Sequence, residues 1–498
     1  MAAGQLVLHL LTNGRYGIFR DELYYLACAN HLGWGYVDHP PLSIAVLALS
    51  RALFGDGVHA IRIVPALAGV FLILAAARFA RRLGGGGFAE LAAALALALA
   101  PGILANTGFY SMNALDLVLW ASIYLLLDRI VVAGPERVPT RWWLTLGVLV
   151  GLGVMNKLSV LALCVGLAVS LPFLPFLRIL RRRALWAALG LAGVIVLPHL
   201  LWQIQNDWPT REFIENAQRY KIADINALGF LGQNVLDMQP SSALLWLGGL
   251  VGLLVWPKLR ERRWIGVSFV AIVIFFVLQK SKPYYLYPAF FPLFAAGAVV
   301  WERLSVRRRW RWIRPLWIVS LLSGGTFAAP MAIPVLSPAG LVAYQARIGL
   351  APKNAERAEL AELSQHLADR FGWRELTEAV AQVYRQLPPE EQASCLIVGR
   401  NYGEAGALLY YGRALGLPPA VSQHNSFYLW GYTPPDPKVV ILVNQEVSDL
   451  QTVFEDVREV TRVTFPYTMP FERDVPICVC RGIKIPLAEA WRMGKEYI

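Results

Sequence analysis

Charge is scarce in this sequence: only 16% of its 498 residues are Asp, Glu, Lys or Arg, and 56% are hydrophobic. A soluble globular chain carries roughly 25% charged residues, so a wholly water-borne fold is excluded. Metal-binding cysteine patterns are absent too. The five cysteines, Cys28, Cys164, Cys395, Cys478 and Cys480, form no CxxC pair and no Cys/His spacing, which leaves no zinc motif. Cys478 and Cys480 lie two apart on an expected strand, so both side chains point the same way; a disulfide there would be strained, and they read as plain strand residues. No basic n-region precedes the first apolar run, where Gln5, His9, Asn13 and Arg15 interrupt residues 2–19; this is a weak first membrane helix rather than a signal peptide. No internal repeat of the kind that pairs the halves of many transporters is present.

What recurs instead, from the start to about residue 336, is apolar stretches close to twenty residues long, the length that crosses ~30 Å of hydrocarbon. The expected spans are 4–19, 59–80, 88–106, 113–132, 142–156, 158–177, 185–204, 242–257, 264–280, 284–302 and 315–336. The formal charge of +12 does not point to nucleic acid, because the basic residues sit in short clusters between these stretches. They follow the second span (Arg78, Arg81, Arg82), the fourth (Arg129, Arg137, Arg141), the sixth (Arg178, Arg181, Arg182, Arg183), the eighth (Lys258, Arg260, Arg262, Arg263) and the tenth (Arg303, Arg307, Arg308, Arg309, Arg311). Every cluster follows an even-numbered span. One orientation therefore satisfies the positive-inside rule: N-terminus in the cytoplasm, even-numbered spans ending there. The Arg307–Trp312 run suits a headgroup anchor on that side.

The opposite face collects the loop 20–58, residues 107–113, the tight connection at Lys157, the loop 205–241, the turn at Lys280–Pro283 and everything after about 337. Within the first outer loop the apolar piece 42–54 is too short to span and reads as an interfacial helix. From about 340 the composition turns soluble. Helices are expected over 355–371, 373–387, 403–415 and 447–457, and strands at Cys395–Val398, Val439–Val443, 460–465 and 476–481, an alternation that suggests a small α/β domain. The Gly399–Gly403–Gly406 spacing loosely resembles a nucleotide-binding turn but lacks GxGxxG, and no nucleotide is read from it. The expected architecture is thus a polytopic α-helical membrane protein of about eleven spans over residues 1–338, with a soluble extracytoplasmic α/β domain over 339–498.

Ionisable residues at the ends of membrane helices are costly unless they line a watered or functional cavity. The first outer loop is dense in them: Asp21-Glu22-Leu23-Tyr24-Tyr25, then Gly35-Tyr36-Val37-Asp38-His39-Pro40-Pro41-Leu42. The topology places Asn113 and Asp116 in SMNALDLVLW, Asn156 and Lys157 in GVMNKLS, and Lys280, Lys282, Tyr284 and Tyr285 in QKSKPYYLYP on the same side. Carboxylates and cations from distant segments so converge on one membrane face. Plainer readings stand beside this one. Asp21 also suits a helix cap, Asp116 complements a helix N-terminus, His39-Pro40-Pro41 suits a rigid turn, and Tyr284 and Tyr285 suit an aromatic belt.

In this order and topology the motifs RDELYYL, GYVDHPPL, SMNALDL, NKLS, PHLLWQ and SKPYYLYP resemble the bacterial dolichyl-phosphate-mannose-protein mannosyltransferase-like proteins, glycosyltransferase family 39. These share the GT-C fold with the aminoarabinose transferases that modify lipid A. The resemblance covers residues 1–336. It implies an inverting transfer, at the outer face of a bacterial inner membrane, of a sugar held on a polyprenyl phosphate to an acceptor hydroxyl on protein, lipid or glycan. Asp21 matches the family's first-loop acidic residue, taken as general base. A carboxylate suits this role, because it accepts the proton of the attacking hydroxyl and stabilises an oxocarbenium-like carbon. The phosphate leaves unprotonated and needs cations or donors instead. His39, at a cationic position of the relatives, is a candidate ligand of the donor phosphate together with Lys157, Lys282 and Tyr285. Glu22, Tyr25, Asp38, Asn113 and Asp116 are candidates for the acceptor or the site lining, Glu22 being equally suited to a structural role and Lys157 to a helix C-cap. His39 is a departure, since relatives usually carry Lys there. No cofactor is required; a divalent metal is compatible, with no ligand set assigned. A transporter or lipid flippase is the alternative class.

Overall fold

A computed structural model describes residues 1–173, 177–221, 225–350 and 361–498; the side chains of Leu177 and Arg178 and residues 355–360 of an expected helix lie outside it. Away from water an apolar chain must satisfy its backbone within each segment, which favours helix. Through residue 348 the described chain is built on α1 (Ala2–Thr12), α2 (Arg20–Asn30), α3 (Leu42–Phe54), α4 (Val58–Arg82), α5 (Gly87–Leu99), α6 (Pro101–Asn106), α7 (Met112–Ala133), α8 (Thr140–Asn156), α9 (Ser159–Ser170), α10 (Arg183–Gln205), α11 (Pro209–Asn216), α12 (Ala227–Asp237), α13 (Ala243–Val255), α14 (Arg263–Leu278), α15 (Phe291–Leu304), α16 (Ile313–Ala332) and α17 (Pro338–Ile348).

Each expected span holds at least one of these helices, but they are unequal. Among the described residues, Val58–Arg82, Arg183–Gln205, Pro283–Leu304 and Arg308–Ala332 are long and apolar enough to cross a membrane; the pair Ala227–Asp237 and Pro240–Val255, bent by 97°, adds a fifth if counted as one. The first stretch departs most. Its helix stops at Thr12, and the chain turns through Gly17 at φ +98°, a conformation that ends any helix, before α2 begins. The third stretch is broken at Pro101, whose ring disfavours helical geometry at Ala100 (φ −67°, ψ 117°). Helix α3 buries Ser43, Ile44, Leu47 and Ser50 and exposes Leu49, Leu53 and Phe54, an amphipathic face of the kind expected of an interfacial helix.

The basic clusters gather at one end of the bundle. Asp128, fully buried on α7, is clamped by Arg82 at 2.9 Å and Arg262 at 2.9 Å. Arg262 also reaches the Arg82 carbonyl, Arg182 the Pro135 carbonyl, and Arg303 the Gly84 carbonyl. Glu302 caps the start of α5 through the Gly86 N–H. Segments far apart in sequence are stapled here by arginine.

At the other end sit α2, α3 and the C-terminal region: α18 (Gln365–Ala368), α19 (Trp373–Arg385), α20 (Pro389–Gln392), β1 (Cys395–Gly399), α21 (Tyr402–Leu415), α22 (Ser426–Trp430), β2 (Val439–Val443), α23 (Val447–Leu450), β3 (Phe454–Thr464), β4 (Asp474–Ile483) and α24 (Leu487–Met493). The sheet runs β1-β2-β4-β3, with β1–β2 parallel and the other pairs antiparallel. The helix expected over 447–457 is corrected: it ends at Leu450, and the chain enters β3 at Phe454, paired to β4 from Phe454↔Ile483 to Thr464↔Asp474. The β-branched Val457, Val460 and Val463 suit a strand, and the long ladder outweighs local helix propensity. Cys478 and Cys480 are unbridged and buried on one side of β4.

This region does not stand apart from the bundle. One apolar cluster contains Leu23, Tyr24 and Ile44 of the first loop together with Trp373, Tyr402, Ile441 and Ile477. The glycines that loosely resemble a nucleotide turn make this possible. A Cβ at Gly403 would meet Arg20 Cγ at 2.6 Å, and one at Gly406 would meet the Leu23 backbone at 2.8 Å. Only glycine lets α21 lie this close on α2.

Candidate active site

The consecutive carboxylates Asp21 and Glu22 open α2, where negative charge complements the helix N-terminus. They are neighbours in the chain, yet their environments differ completely. Glu22 is fully buried; its oxygens accept from Arg62 Nε (2.8 Å) and Nη2 (2.6 Å), Phe19 N (2.8 Å) and Tyr110 N (2.7 Å). Burial pushes Glu22 up, yet the Arg62 charge and hydrogen bonds hold it below the ordinary carboxylate range. With four donors it has no oxygen to offer a ligand, so it secures α2 against α4 and does not line a site.

Asp21 is half-buried and makes no ion pair among the described residues; its Oδ1 accepts from the Tyr402 hydroxyl at 2.9 Å. Burial raises its pKa above the ordinary aspartate value, against the pull of Arg20, Lys221 and the Tyr402 hydrogen bond. A carboxylate poised upward in this way is better matched to accept a proton near neutrality.

Around Asp21 the first loop folds back on α2. The Tyr24 hydroxyl lies 2.8 Å from Asp38 Oδ1 and 2.7 Å from Ser426 Oγ, while Ser426 Oγ also accepts from Val37 N at 3.0 Å. His39 is buried against Tyr24, Tyr25 and Tyr36, with ring centroids 5.9, 4.7 and 5.0 Å away. Its Nδ1 bonds the Pro40 carbonyl at 3.0 Å, and its Nε2 stands 4.0 Å from Asp38. Enclosed by tyrosines, His39 has no open face for a phosphate. That burial is at odds with the donor-phosphate contact expected of it.

A second group lies beside the first. Lys157, at the sharp junction of α8 and α9, donates to Asn113 Oδ1 at 2.7 Å, stands 4.0 Å from Asp116 Oδ2, and sits 4.2 and 5.0 Å over the Tyr285 and Tyr284 rings. Asp116 also accepts from Ser159 Oγ at 2.7 Å. Lys282 is close enough for its charge to bear on Lys157. So Asn113, Asp116, Lys157, Lys282 and Tyr285 come together as expected from their motifs. The two groups share the segment 110–113: the Met112 backbone reaches the Tyr25 hydroxyl, and Asn156 bonds the Met112 carbonyl at 2.9 Å. Among the described residues no set of His, Cys, Asp and Glu side chains forms a group fit to hold a metal ion.

Tyr402 and Ser426 carry no functional mark in the sequence, and Arg20 lies in the RDELYYL motif with no role assigned to it. The only signal near Tyr402 is local: Asn401 follows β1 and caps α21 through the Gly403 and Glu404 amides (2.8 and 3.2 Å). That is the strand-to-helix turn where α/β folds often present functional side chains.

This architecture, helices stapled at one end and a carboxylate–lysine site at the other beneath a small sheet domain, resembles the one expected of the GT-C membrane glycosyltransferases. Over its length the chain matches ArnT from Cupriavidus metallidurans in the apo state (TM-score 0.61, 17% identity, 96% of this chain and 98% of that one). It matches the same protein bound to undecaprenyl phosphate at a TM-score of 0.59, with 16% identity over 95% and 96%. Residues 38–202 match the family described as dolichyl-phosphate-mannose-protein mannosyltransferase. Curated relatives include the undecaprenyl phosphate-alpha-4-amino-4-deoxy-L-arabinose arabinosyl transferase of Pseudomonas aeruginosa (28% identical, 53% of this chain and 49% of the relative). Another is the lipid A galacturonosyltransferase RgtD of Rhizobium johnstonii (27% identical, 42% and 43%). The chain spans about half the length of the curated relatives it matches. The resemblance drawn from the motifs is therefore sound: the chain is related to these transferases.

Proposed function

We propose that this protein is an inverting glycosyltransferase that moves a sugar from a polyprenyl-phosphate donor to an acceptor hydroxyl at the outer face of a bacterial inner membrane. The observation that carries the reading is the contrast between neighbouring carboxylates: Glu22 is saturated by four donors, whereas Asp21 keeps a half-open carboxylate bonded by a neutral hydroxyl. The acceptor oxygen attacks the anomeric carbon from the face opposite the phosphate. As the new C–O bond forms, Asp21 takes the acceptor proton. The bond from the anomeric carbon to phosphate oxygen breaks, and its electron pair leaves with the polyprenyl phosphate. That anion needs positive charge, which Lys157 and Lys282 supply, with Asn113 and Tyr285 fixing the Lys157 ammonium. Asp38 and Tyr25 frame the acceptor side, and Asp116 lines the site beside Lys157. No step requires a metal.

The proposed topology has about eleven spans over residues 1–338, the arginine-rich end in the cytoplasm, and residues 339–498 outside. The names of the relatives support a lipid-borne donor and, for one of them, a lipid A acceptor; a lipid acceptor is the reading adopted for this chain. The test uses the purified full chain in liposomes with polyprenyl-phosphate sugar radiolabelled in the sugar. Enzyme function predicts label covalently joined to an acceptor lipid, with polyprenyl phosphate released in equal amount. Label that crosses the bilayer on its original carrier, with no new glycosidic bond, would make the protein a transporter.

A further inference from the structure

The structure assigns to the C-terminal domain a direct part in the reaction: through the hydroxyl of Tyr402 it positions the carboxylate of Asp21. This rests on the reading of Asp21 as base and extends it to a residue 381 positions away.

Three observations converge. First, the Tyr402 hydroxyl donates to Asp21 Oδ1 at 2.9 Å, which fixes the carboxylate plane and leaves Oδ2 for the proton of the incoming hydroxyl. Second, Tyr402 is itself held on every side. Its ring lies under the Arg20 guanidinium at 4.6 Å and packs 4.9 Å from Tyr24 and 4.8 Å from His424. Third, the start of α21 is anchored by a buried polar knot. Asn401 Nδ2 donates to Glu404 Oε1 (3.0 Å) and Glu472 Oε1 (2.8 Å), and Asn444 to Glu404 Oε1 (2.7 Å). A group held this rigidly against a reactive carboxylate pre-organises it, and misplacement of about 1 Å in such a group costs roughly 100-fold in rate.

The charged and titratable groups that face Asp21 are Arg20 on α2, Asp38 after it, Lys221 beyond α11, and Tyr25 and Tyr402. Of these, Tyr402 is the one that hydrogen-bonds the carboxylate, and its bond favours the charged form. Removing the hydroxyl must therefore move the Asp21 titration upward.

The experiment compares pH profiles of sugar transfer by the full-length protein in liposomes. Tyr402→Phe keeps the ring under Arg20 and deletes only the hydroxyl. We expect the acid limb of kcat/KM to shift up by about 0.5–1 pH unit and the plateau kcat to fall about 10-fold with donor KM little changed. A second variant, Tyr402→3-fluorotyrosine, has nearly the same shape and a more acidic hydroxyl, so it should move the acid limb the other way. An acid limb that stays put in both variants overturns the role of Tyr402. Asp21→Asn keeps the two claims apart: if it transfers sugar normally, the base assignment itself is wrong; if it is inactive while both Tyr402 profiles match wild type, only this inference fails.

Discussion

The two ends of the helix bundle use the same residue types for opposite purposes. At the arginine-rich end, Asp128 is buried and held by two guanidiniums, and it can do nothing but hold. At the other end, Asp21 is half-buried and bonded by a neutral tyrosine. Within α2 the same contrast recurs between adjacent residues: Glu22 belongs with Asp128, and Asp21 does not. A carboxylate matched by arginine has its oxygens engaged and lends geometry to the fold. One matched by a hydroxyl keeps its basicity and remains usable. The identity of the partner, more than burial, separates scaffold from chemistry here.

Cutting the scaffold pair should give the largest change in stability with the least change in chemistry. Asp128→Ala leaves Arg82 and Arg262 without their buried partner and should destabilise the protein by about 3–5 kcal/mol. Thermal unfolding in detergent reads the loss, while kcat of the surviving folded fraction stays near wild type. A fall in kcat without a fall in stability would erase the distinction between the ends. Next in size, Lys157→Met removes the cation placed for the leaving phosphate and should lower kcat/KM by roughly 100-fold with the unfolding temperature little changed. Lys157→Arg, too wide for its seat between Asn113 and the Tyr285 ring, should recover little of the activity.

The smallest effect sharpens the comparison from the side of the sheet domain. Burial, then the neighbouring Glu404 charge, pushes Glu472 well above the ordinary carboxylate range. Its protonated form is therefore favoured by folding. That contribution is complete below the ordinary glutamate pKa and is lost as pH rises through the elevated folded value. Glu472→Gln, which mimics the protonated form, should leave stability unchanged near pH 4 and raise the unfolding temperature by a few degrees near pH 8. Equal shifts at both pH values would mean that Glu472 is charged in the folded protein.

Much of the bundle is legible in the order of residues alone. The spacing of arginine clusters after alternate apolar stretches marks one face, and Arg82, Arg182, Arg262 and Arg303 do meet at one end of the fold. The grouping of Asn113, Asp116, Lys157 and Tyr285 is legible for the same reason, because parity puts their segments on one side. Roles that depend on which neighbour a side chain meets are not legible. Glu22 and Asp21 differ by one position, and only the arrival of Arg62 and the Tyr110 amide separates them. His39 sits in a motif that suggests a cation, yet three tyrosines close over it. Tyr402 lies in a stretch whose glycine spacing only loosely resembles a nucleotide-binding turn, and its meeting with Asp21 follows from the close approach of two helices that Gly403 and Gly406 permit. Sequence periodicity encodes faces of elements; it does not encode which distant face comes to rest on which.

The most direct test of the account is a single-turnover reaction with Asp21→Asn, with donor binding measured on the same sample. Asparagine keeps the shape and the contact with the Tyr402 hydroxyl but cannot take a proton. The account predicts donor affinity within about 3-fold of wild type and a transfer rate lower by roughly 1,000-fold or more. Near-normal transfer by Asp21→Asn would contradict it, whatever the remaining residues of the site were found to do.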